Sequence, residues 1–215
     1  MEETMKTLKE YWNESFQRPG LEPLYDNWLQ KYTNYLADYN ELIIDLGCGI
    51  GNNSRYLFER GLQPIACDIS EEALMKLKGF IPNINTRCFD MSDGLPFESE
   101  TVKIIIADLS LHYFDEHTTR SIINDIHRVL KDDGVLLCRL NSVNEIINIG
   151  ETKETQEVYL MESEGIYRRF FDQSQINRFF SNVMWDCIHN EEYEITRYTN
   201  KKVLWEIAMK PRRAV

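Results

Sequence analysis

Apolar runs typical of buried β-strands alternate along this chain with segments whose apolar residues recur at helical spacing. Five strand-like runs lie between Glu41 and Ser142, namely ELIIDLG, QPIACDIS, NTRCFDMS, VKIIIADLS and GVLLCRLNS. The segment NNSRYLFERG starts with residues that cap helices and ends in a glycine, so it predicts a helix, as does EEALMKLKG. Strands that alternate with helices in this way predict a parallel sheet with helices on both faces. We therefore predict a doubly wound α/β domain.

Two regions flank this core. The first forty residues carry two apolar stripes separated by RPG, which predict two helices. The stripes consist of Met5, Leu8, Trp12 and Phe16, then Leu24, Trp28, Tyr32, Tyr35 and Leu36. After Ser142 come a possible hairpin in EVYLMESEGIYRRFF, a helix near DQSQINRFF and two long strands joined around TNKK. Since no interdomain linker stands out, we predict one domain with an N-terminal helical part (1–40), a core (41–142), an insertion (143–172) and a C-terminal helix with a strand pair (173–215).

The composition suits one domain with a continuous core, because 43% of the 215 residues are hydrophobic and 12% are aromatic. No stretch approaches the roughly 18 uncharged apolar residues of a membrane span, and the N-terminus has no apolar signal segment. We therefore expect a soluble, cytoplasmic protein without a membrane partner.

Charge and cysteine usage bear on two further classes. The net charge of -11 repels phosphate backbones, and the basic pairs are scattered, so nucleic acid is not an expected partner. The five cysteines are widely spaced and include no C-x-x-C pair, so neither a disulfide framework nor a metal site is expected.

The stretch IIDLGCGIGNNS packs three glycines into five positions, directly after an apolar run that ends at Asp45. Glycines at a strand end indicate a backbone that turns tightly or approaches something closely. In an α/β sheet a ligand lies beyond the carboxyl ends of the strands, at a helix N-terminus. The dinucleotide fingerprint G-x-G-x-x-G would need a glycine where Asn52 stands. The acidic residue before the loop also disfavours a pyrophosphate, so a ligand with an ammonium group fits better.

Five motifs, in the expected order, resemble those of the class I S-adenosylmethionine-dependent methyltransferases. DLGCGIG resembles the first motif, ACDIS the second and CFDMSDGLPF the third, while IIIADLSLHYF is similar to the fourth and VLKDDGVLLCRLNS to the strand that follows. The resemblance implies S-adenosylmethionine as cofactor. By overall pattern, the sequence resembles the small-molecule (methyltransferase type 11/25-like) branch of the family. The resemblance also implies a Rossmann-like, mostly parallel seven-stranded sheet with an antiparallel C-terminal strand.

The resemblance further implies which residues hold the cofactor. The glycine-rich backbone lies along the methionine part, Asp68 accepts both ribose hydroxyls, and Asp90 and Met91 contact the adenine. The complete predicted set is Asp45, Gly47, Cys48, Gly49, Gly51, Asp68, Ile69, Asp90, Met91 and Leu109. Asp108 is either a further ligand or a cap or turn residue.

The predicted acceptor-side residues are Tyr11, Trp12, Tyr113 and Arg168. Aromatic faces suit the positive charge of a sulfonium. Successive residues of an extended segment face opposite ways, so only one of Arg168 and Arg169 can point inward, where it would suit a carboxylate or phosphate; alternatively both lie on the surface. His112 follows the fourth strand near the expected methyl position, and it either exchanges a proton in catalysis or only shapes the pocket.

We therefore predict methyl transfer to a small-molecule acceptor by in-line displacement, giving S-adenosylhomocysteine, with residues 1–40 as a lid and the insertion near the acceptor. The fourth motif, ADLSLHY, lacks the Asn/Asp-Pro-Pro-aromatic signature of many enzymes that methylate amino groups in nucleic acids and proteins. Two alternatives stay open: a cofactor-binding protein without catalysis, acting as a sensor or partner subunit, and an NAD-dependent oxidoreductase, against which Asn52 counts.

Overall fold

Seven strands form one central sheet in the computed structural model, which describes residues 6–37, 40–145, 159–161, 166–197 and 200–213. The sheet strands are β1 (Ile43–Leu46), β2 (Ile65–Asp68), β3 (Asn85–Cys88), β4 (Val102–Asp108), β5 (Leu130–Asn141), β8 (Trp185–Arg197) and β9 (Asn200–Pro211). Their order is β3-β2-β1-β4-β5-β9-β8. Strands β1 to β5 are parallel, and β9 is antiparallel to both of its neighbours. The predicted fold class is therefore confirmed.

Helices connect and cover these strands. They are α1 (Leu8–Gln17), α2 (Asn52–Phe58), α3 (Glu71–Phe80), α4 (Glu116–Val129) and α5 (Gln173–Phe179), with 3-10 helices at Trp28–Tyr32 and Met91–Asp93. Short polar side chains start several of them: Thr7 caps α1, Ser70 caps α3 and Asp115 caps α4, each by accepting a backbone N–H of the first turn. These caps fix where the helices begin relative to the strand ends.

The core lies on both faces of the sheet because side chains of a strand alternate between its faces. In β4, Ile104 and Ile106 pack with α2 and the 3-10 helix at Trp28–Tyr32. The intervening Ile105 and Ala107 pack on the other face with α4 and α5. A strand buried on both faces reads as a continuous apolar run, as VKIIIAD does.

The second predicted N-terminal helix differs from expectation. The structure has only a five-residue 3-10 helix there, and the side chain of Leu24 is 61% exposed. Trp28, Tyr32 and Leu36 are buried as the apolar stripe predicts. No side chain caps this short helix at Asn27, so tertiary burial of its aromatic residues decides its position.

The C-terminal predictions are confirmed where the structure describes them. Strand β6 (Tyr159–Met161) and strand β7 (Tyr167–Arg169) pair in antiparallel orientation, and β8 pairs with β9. Because β9 is antiparallel to β5, its first residues lie at the carboxyl edge of the parallel strands. Within the described ranges, no helix has both the length and the apolarity needed to cross a bilayer.

Candidate active site

A cavity of about 290 Å³ opens at the carboxyl edge of the sheet. Of the predicted cofactor residues, those that line it are Gly47, Cys48, Gly49, Asp68, Ile69, Asp90, Met91 and Leu109. Asp45 and Gly51 lie behind this lining. Sequence analysis missed several other lining residues, of which Phe16, Phe89, Phe114 and Lys202 are the most relevant to the site's chemistry.

The glycine loop can lie this close to its neighbours only because it has no side chains. A Cβ on Gly47 (φ +72°) would lie 2.3 Å from the Cβ of Ser110, and one on Gly49 would lie 3.1 Å from Cζ of Phe16. Gly51 (φ +94°) is required by packing instead, since a Cβ there would lie 2.3 Å from Cδ1 of Leu77 in α3. Left-handed backbone at these positions favours glycine in any case.

Asp68 ends β2 with its carboxylate against the glycine loop. One oxygen accepts the backbone N–H of Gly49 at 2.7 Å, and the other accepts that of Ser70 at 2.8 Å. Burial raises the pKa of Asp68 to about 6, although the backbone hydrogen bonds from Ser70 and Gly49 oppose the shift. The carboxylate is thus held rigidly at the cavity wall and is charged at neutral pH.

Asp45 is almost completely buried under the loop. Its Oδ2 accepts the hydroxyl of Ser54 at 2.6 Å, whereas Oδ1 has no hydrogen-bond partner among the described residues. Burial raises the pKa of Asp45 to about 7, with the nearby carboxylates of Asp108 and Asp68 adding to the shift. A buried carboxyl oxygen without a partner is costly unless a ligand group or a proton satisfies it.

Asp90 and Met91 bound the cavity at its β3 side. Asp90 caps the 3-10 helix at Met91–Asp93, and its Oδ1 accepts both the backbone N–H and the hydroxyl of Ser92, at 2.8 and 2.7 Å. Phe89 joins Met91 in the lining. This end therefore combines apolar surface with one half-buried carboxylate.

An aromatic wall closes the opposite side. The rings of Trp12 and Tyr113 meet edge to face, with centroids 5.2 Å apart, and Phe16 stacks on Trp12 at 5.4 Å. Tyr11, predicted for this wall, instead lies behind Trp12 and does not line the cavity. Helix α1 is held over the site by α3, where Lys9 pairs with Glu71 at 2.9 Å.

His112 does not line the cavity either. Its ring is 2% exposed, and its centroid lies 4.3 Å from that of Tyr113. Its carbonyl oxygen accepts the backbone N–H of Arg169 at 2.7 Å. The structure therefore places His112 where it can fix Tyr113, and the catalytic role stays a prediction.

The two neighbouring arginines face opposite ways, as their extended backbone requires. Arg169 is buried, with its guanidinium 5.2 Å from the ring centroid of Phe179. Arg168 is half-buried, and its guanidinium lies 5.7 Å from the ring centroid of Tyr113. Neither side chain is among the described lining residues, and Arg168 lies next to the lining residue Tyr113.

Asp108, left open by the sequence, is one half of a buried ion pair. Arg139 donates to its two oxygens at 2.7 and 2.8 Å and to Asp26 at 2.7 Å. Burial opposes the charge of Arg139, but these carboxylates raise its pKa overall. Asn53 also donates to Asp108, at 3.3 Å. The one sequence signal for this network is an arginine inside the apolar strand VLLCRLN.

Comparisons with known proteins agree with this geometry. The family described as "Methyltransferase domain" matches residues 43–134. An uncharacterised methyltransferase of Synechocystis is 31% identical over 102 residues, covering 47% of this chain and 48% of that protein. A mitochondrial arginine-hydroxylase of Mus musculus is 34% identical over 98 residues, covering 45% and 27%. A tRNA N(3)-cytidine methyltransferase of Danio rerio is 26% identical over 161 residues, covering 69% and 46%. The chain thus spans about half or less of the length of these relatives.

A solved S-adenosylmethionine-dependent methyltransferase of Methanosarcina mazei has the same fold, with a TM-score of 0.71 and 20% identity over 84% of this chain and 96% of that one. Residues 43–134 of this chain thus match the methyltransferase-domain family, and the chain has the fold of that solved methyltransferase. The cofactor that the motif resemblance implies is S-adenosylmethionine. The residues present fit that group. A loop without side chains borders the cavity, the Asp68 carboxylate lies beside it, and Oδ1 of Asp45 lacks a partner among the described residues.

Proposed function

We propose that this chain transfers a methyl group from S-adenosylmethionine to a small-molecule acceptor. The observation that supports this best is that one cavity joins the cofactor-motif residues to an aromatic wall made by Trp12 and Tyr113. Donor and acceptor could therefore meet in one space that is partly closed to water. The predicted division of the domain, with residues 1–40 as lid and 143–172 near the acceptor, belongs to this proposal.

In this proposal the chain mainly positions the reactants. Asp68 would accept the ribose hydroxyls, Asp90 and Met91 would face the adenine, and the backbone around Gly47 and Gly49 would lie along the methionine part. The bound sulfonium supplies an activated methyl group with a good leaving group. Alignment and exclusion of water can then provide much of the rate enhancement.

Phe16 and Trp12 of α1 form the part of the enclosure that lies outside the sheet. Asn13 fixes this helix by accepting the hydroxyl of Ser70, two residues after Asp68, at 2.8 Å. Through this contact the closing helix is tied to the residue that caps α3, so lid and cofactor wall are positioned together.

Two features support a small acceptor over a nucleic acid, although one relative acts on tRNA. The net charge is -11, so few phosphate contacts are available for counterion release. At the end of the cavity formed by β2 and β3, the lining includes the carboxylates of Asp68 and Asp90, which would repel a nucleotide's phosphates there. Binding without catalysis is the second candidate, and it predicts cofactor affinity without turnover on any acceptor.

Two measurements test the proposal. Calorimetry should show one S-adenosylhomocysteine bound per chain and no comparable binding of NAD. Incubation with methyl-labelled S-adenosylmethionine and an acceptor panel of acids, amines, phenols and thiols should then yield a labelled product. Tight NAD binding, or a labelled tRNA in place of any labelled small molecule, would contradict the proposal.

A further inference from the structure

The cavity has an acidic end and a basic end. Its three carboxylates, those of Asp68, Asp90 and Asp108, follow or end β2, β3 and β4. Among the described lining residues, Lys202 alone is basic. It lies near the start of β9, which is two strands beyond β4 with β5 between them. Neighbouring strands are about 4.8 Å apart, so the backbones of β4 and β9 lie roughly 10 Å apart across the sheet.

The ammonium group of Lys202 lies at the cavity beside a carboxylate. Its side chain is 23% exposed, and Nζ lies 3.4 Å from Oε1 of Glu145. An ammonium has three N–H donors, so one lysine can bind a carboxylate or phosphate in the cavity as well as Glu145. The backbone beside it is fixed, since Ser142 donates its N–H to the carbonyl of Val203 at 3.0 Å.

A second cation lies beside the aromatic lining of the cavity. The guanidinium of Arg168 is 5.7 Å from the ring centroid of Tyr113, which lines the cavity together with Phe114 and Trp12. The cavity is therefore bounded by aromatic rings and contains one basic side chain among its described lining residues, although the chain as a whole is strongly acidic. Such a space suits a ligand that has a flat apolar ring system and an acidic group.

We propose that the acceptor is an aromatic or otherwise apolar acid, whose carboxylate or phosphate binds Lys202 and whose apolar body lies along Tyr113. The inference rests on the proposed function and specifies the acceptor class of the same site. The inference concerns binding: Lys202 holds the acid group of the acceptor, and the positive charge of Arg168 beside Tyr113 adds to the attraction.

The test is calorimetric titration with 2-naphthoate, 2-naphthyl phosphate and the neutral 2-naphthalenemethanol, into the protein with and without saturating S-adenosylhomocysteine. At least one acid should bind ten times more tightly than the alcohol, and the tighter acid shows which head group the site prefers. Lys202→Gln should weaken binding of that acid at least tenfold. Its affinities for the alcohol and for S-adenosylhomocysteine should stay within twofold of wild type.

Lys201→Gln is the matched control. Lys201 is the preceding residue on β9, its side chain is 73% exposed, and it pairs with Glu194 at 2.8 Å outside the cavity. This variant removes the same charge from the chain and should leave all affinities within twofold.

Equal binding of acid and alcohol, or equal effects of the two lysine variants, would overturn the inference. So would a loss of S-adenosylhomocysteine affinity in Lys202→Gln, because Lys202 would then belong to the donor site. Failure of wild-type protein to bind S-adenosylhomocysteine would instead count against the proposed function. The acid and alcohol titrations made without S-adenosylhomocysteine would still test the role of Lys202.

Discussion

The proposed donor half of the cavity (Gly47, Gly49, Asp68, Asp90 and Met91) and the proposed acceptor half are assembled in different ways. On the donor half, each strand end is followed at once by its functional residue, and neighbouring backbone holds the side chain in place, as Gly49 and Ser70 hold Asp68. The acceptor half joins Trp12, Tyr113 and Lys202 from three distant parts of the chain. Local motifs can therefore specify a donor site, whereas an acceptor site depends on how remote segments pack.

The two halves also differ in what fixes them. The glycine loop and Asp108 follow or end the central strands β1 and β4, which are buried on both faces, while α1 is attached to α3 through exposed pairs such as Lys9–Glu71. An exposed ion pair contributes at most about 1 kcal/mol. We therefore expect changes in the donor half to affect cofactor affinity strongly, and changes in the acceptor wall to affect mainly turnover.

The largest effect is expected for Gly47→Ala. A left-handed backbone costs a residue with a Cβ about 1–2 kcal/mol, and the added atom would also lie 2.3 Å from Cβ of Ser110. S-adenosylhomocysteine affinity should fall by about 100-fold or more, equivalent to roughly 2.7 kcal/mol. Gly20→Ala is the control, because Gly20 has nearly the same φ (+74°) but nothing within 4 Å of the added Cβ. Equal affinities in the two variants would show that close approach at Gly47 is unimportant.

Asp68→Asn should weaken S-adenosylhomocysteine binding by about 10- to 100-fold, because a charged acceptor for two hydroxyls is lost. Burial raises the pKa of Asp68 to about 6, so the carboxylate gains its charge as pH rises through that value. Wild-type affinity should therefore increase between pH 5 and pH 7. The variant should lose this increase, and any slope that remains belongs to Asp45, whose raised pKa is about 7. The exposed Asp93→Asn should behave as wild type, and a pH-independent wild-type affinity would remove Asp68 from the site.

Trp12→Ala tests the acceptor wall. Losing the edge contact with Tyr113 should open the cavity to water and loosen alignment, lowering turnover about tenfold on an acceptor found by the labelled screen. S-adenosylhomocysteine affinity should stay within threefold. Glu14→Ala, an exposed change on the same helix, should alter neither quantity. Full turnover in a folded Trp12→Ala protein would show that α1 is not a lid.

The smallest effect is expected for His112→Ala. If this buried ring only positions Tyr113, turnover should fall a few-fold by an equal factor at every pH between 6 and 9. A loss that shrinks as pH rises would show instead that His112 takes the acceptor proton, since the acceptor then ionises without help. Unchanged S-adenosylhomocysteine affinity in the variant would confirm that the measured loss arises on the acceptor side.

The glycine-rich loop, the carboxylates after β2 and β3, and the order of strands and helices were predictable from the sequence. Each depends on residues within a few positions of one another: a strand's apolar run, a cap, and a glycine where the backbone turns. The buried Asp108–Arg139 pair was not predictable, because it joins residues 31 positions apart. Its one sequence signal is an arginine in an apolar strand. The 3-10 helix at Trp28–Tyr32 differs from prediction for a similar reason, since burial rather than local propensity placed its rings.

Alternation along an extended strand predicted that Arg168 and Arg169 would face opposite ways, and the structure agrees. Only the packed structure decided that Arg169 would be the buried one, because its ring partner Phe179 lies on α5. For the same reason, the sequence did not identify Lys202 as a residue that lines the cavity. Its place at the carboxyl edge follows from β9 inserting antiparallel beside β5, a pairing between strands almost 60 residues apart. The sequence by itself determined the donor half, since local hydrogen bonds and backbone sterics build it. The acceptor half was decided by long-range sheet pairing and helix docking, which no short motif encodes.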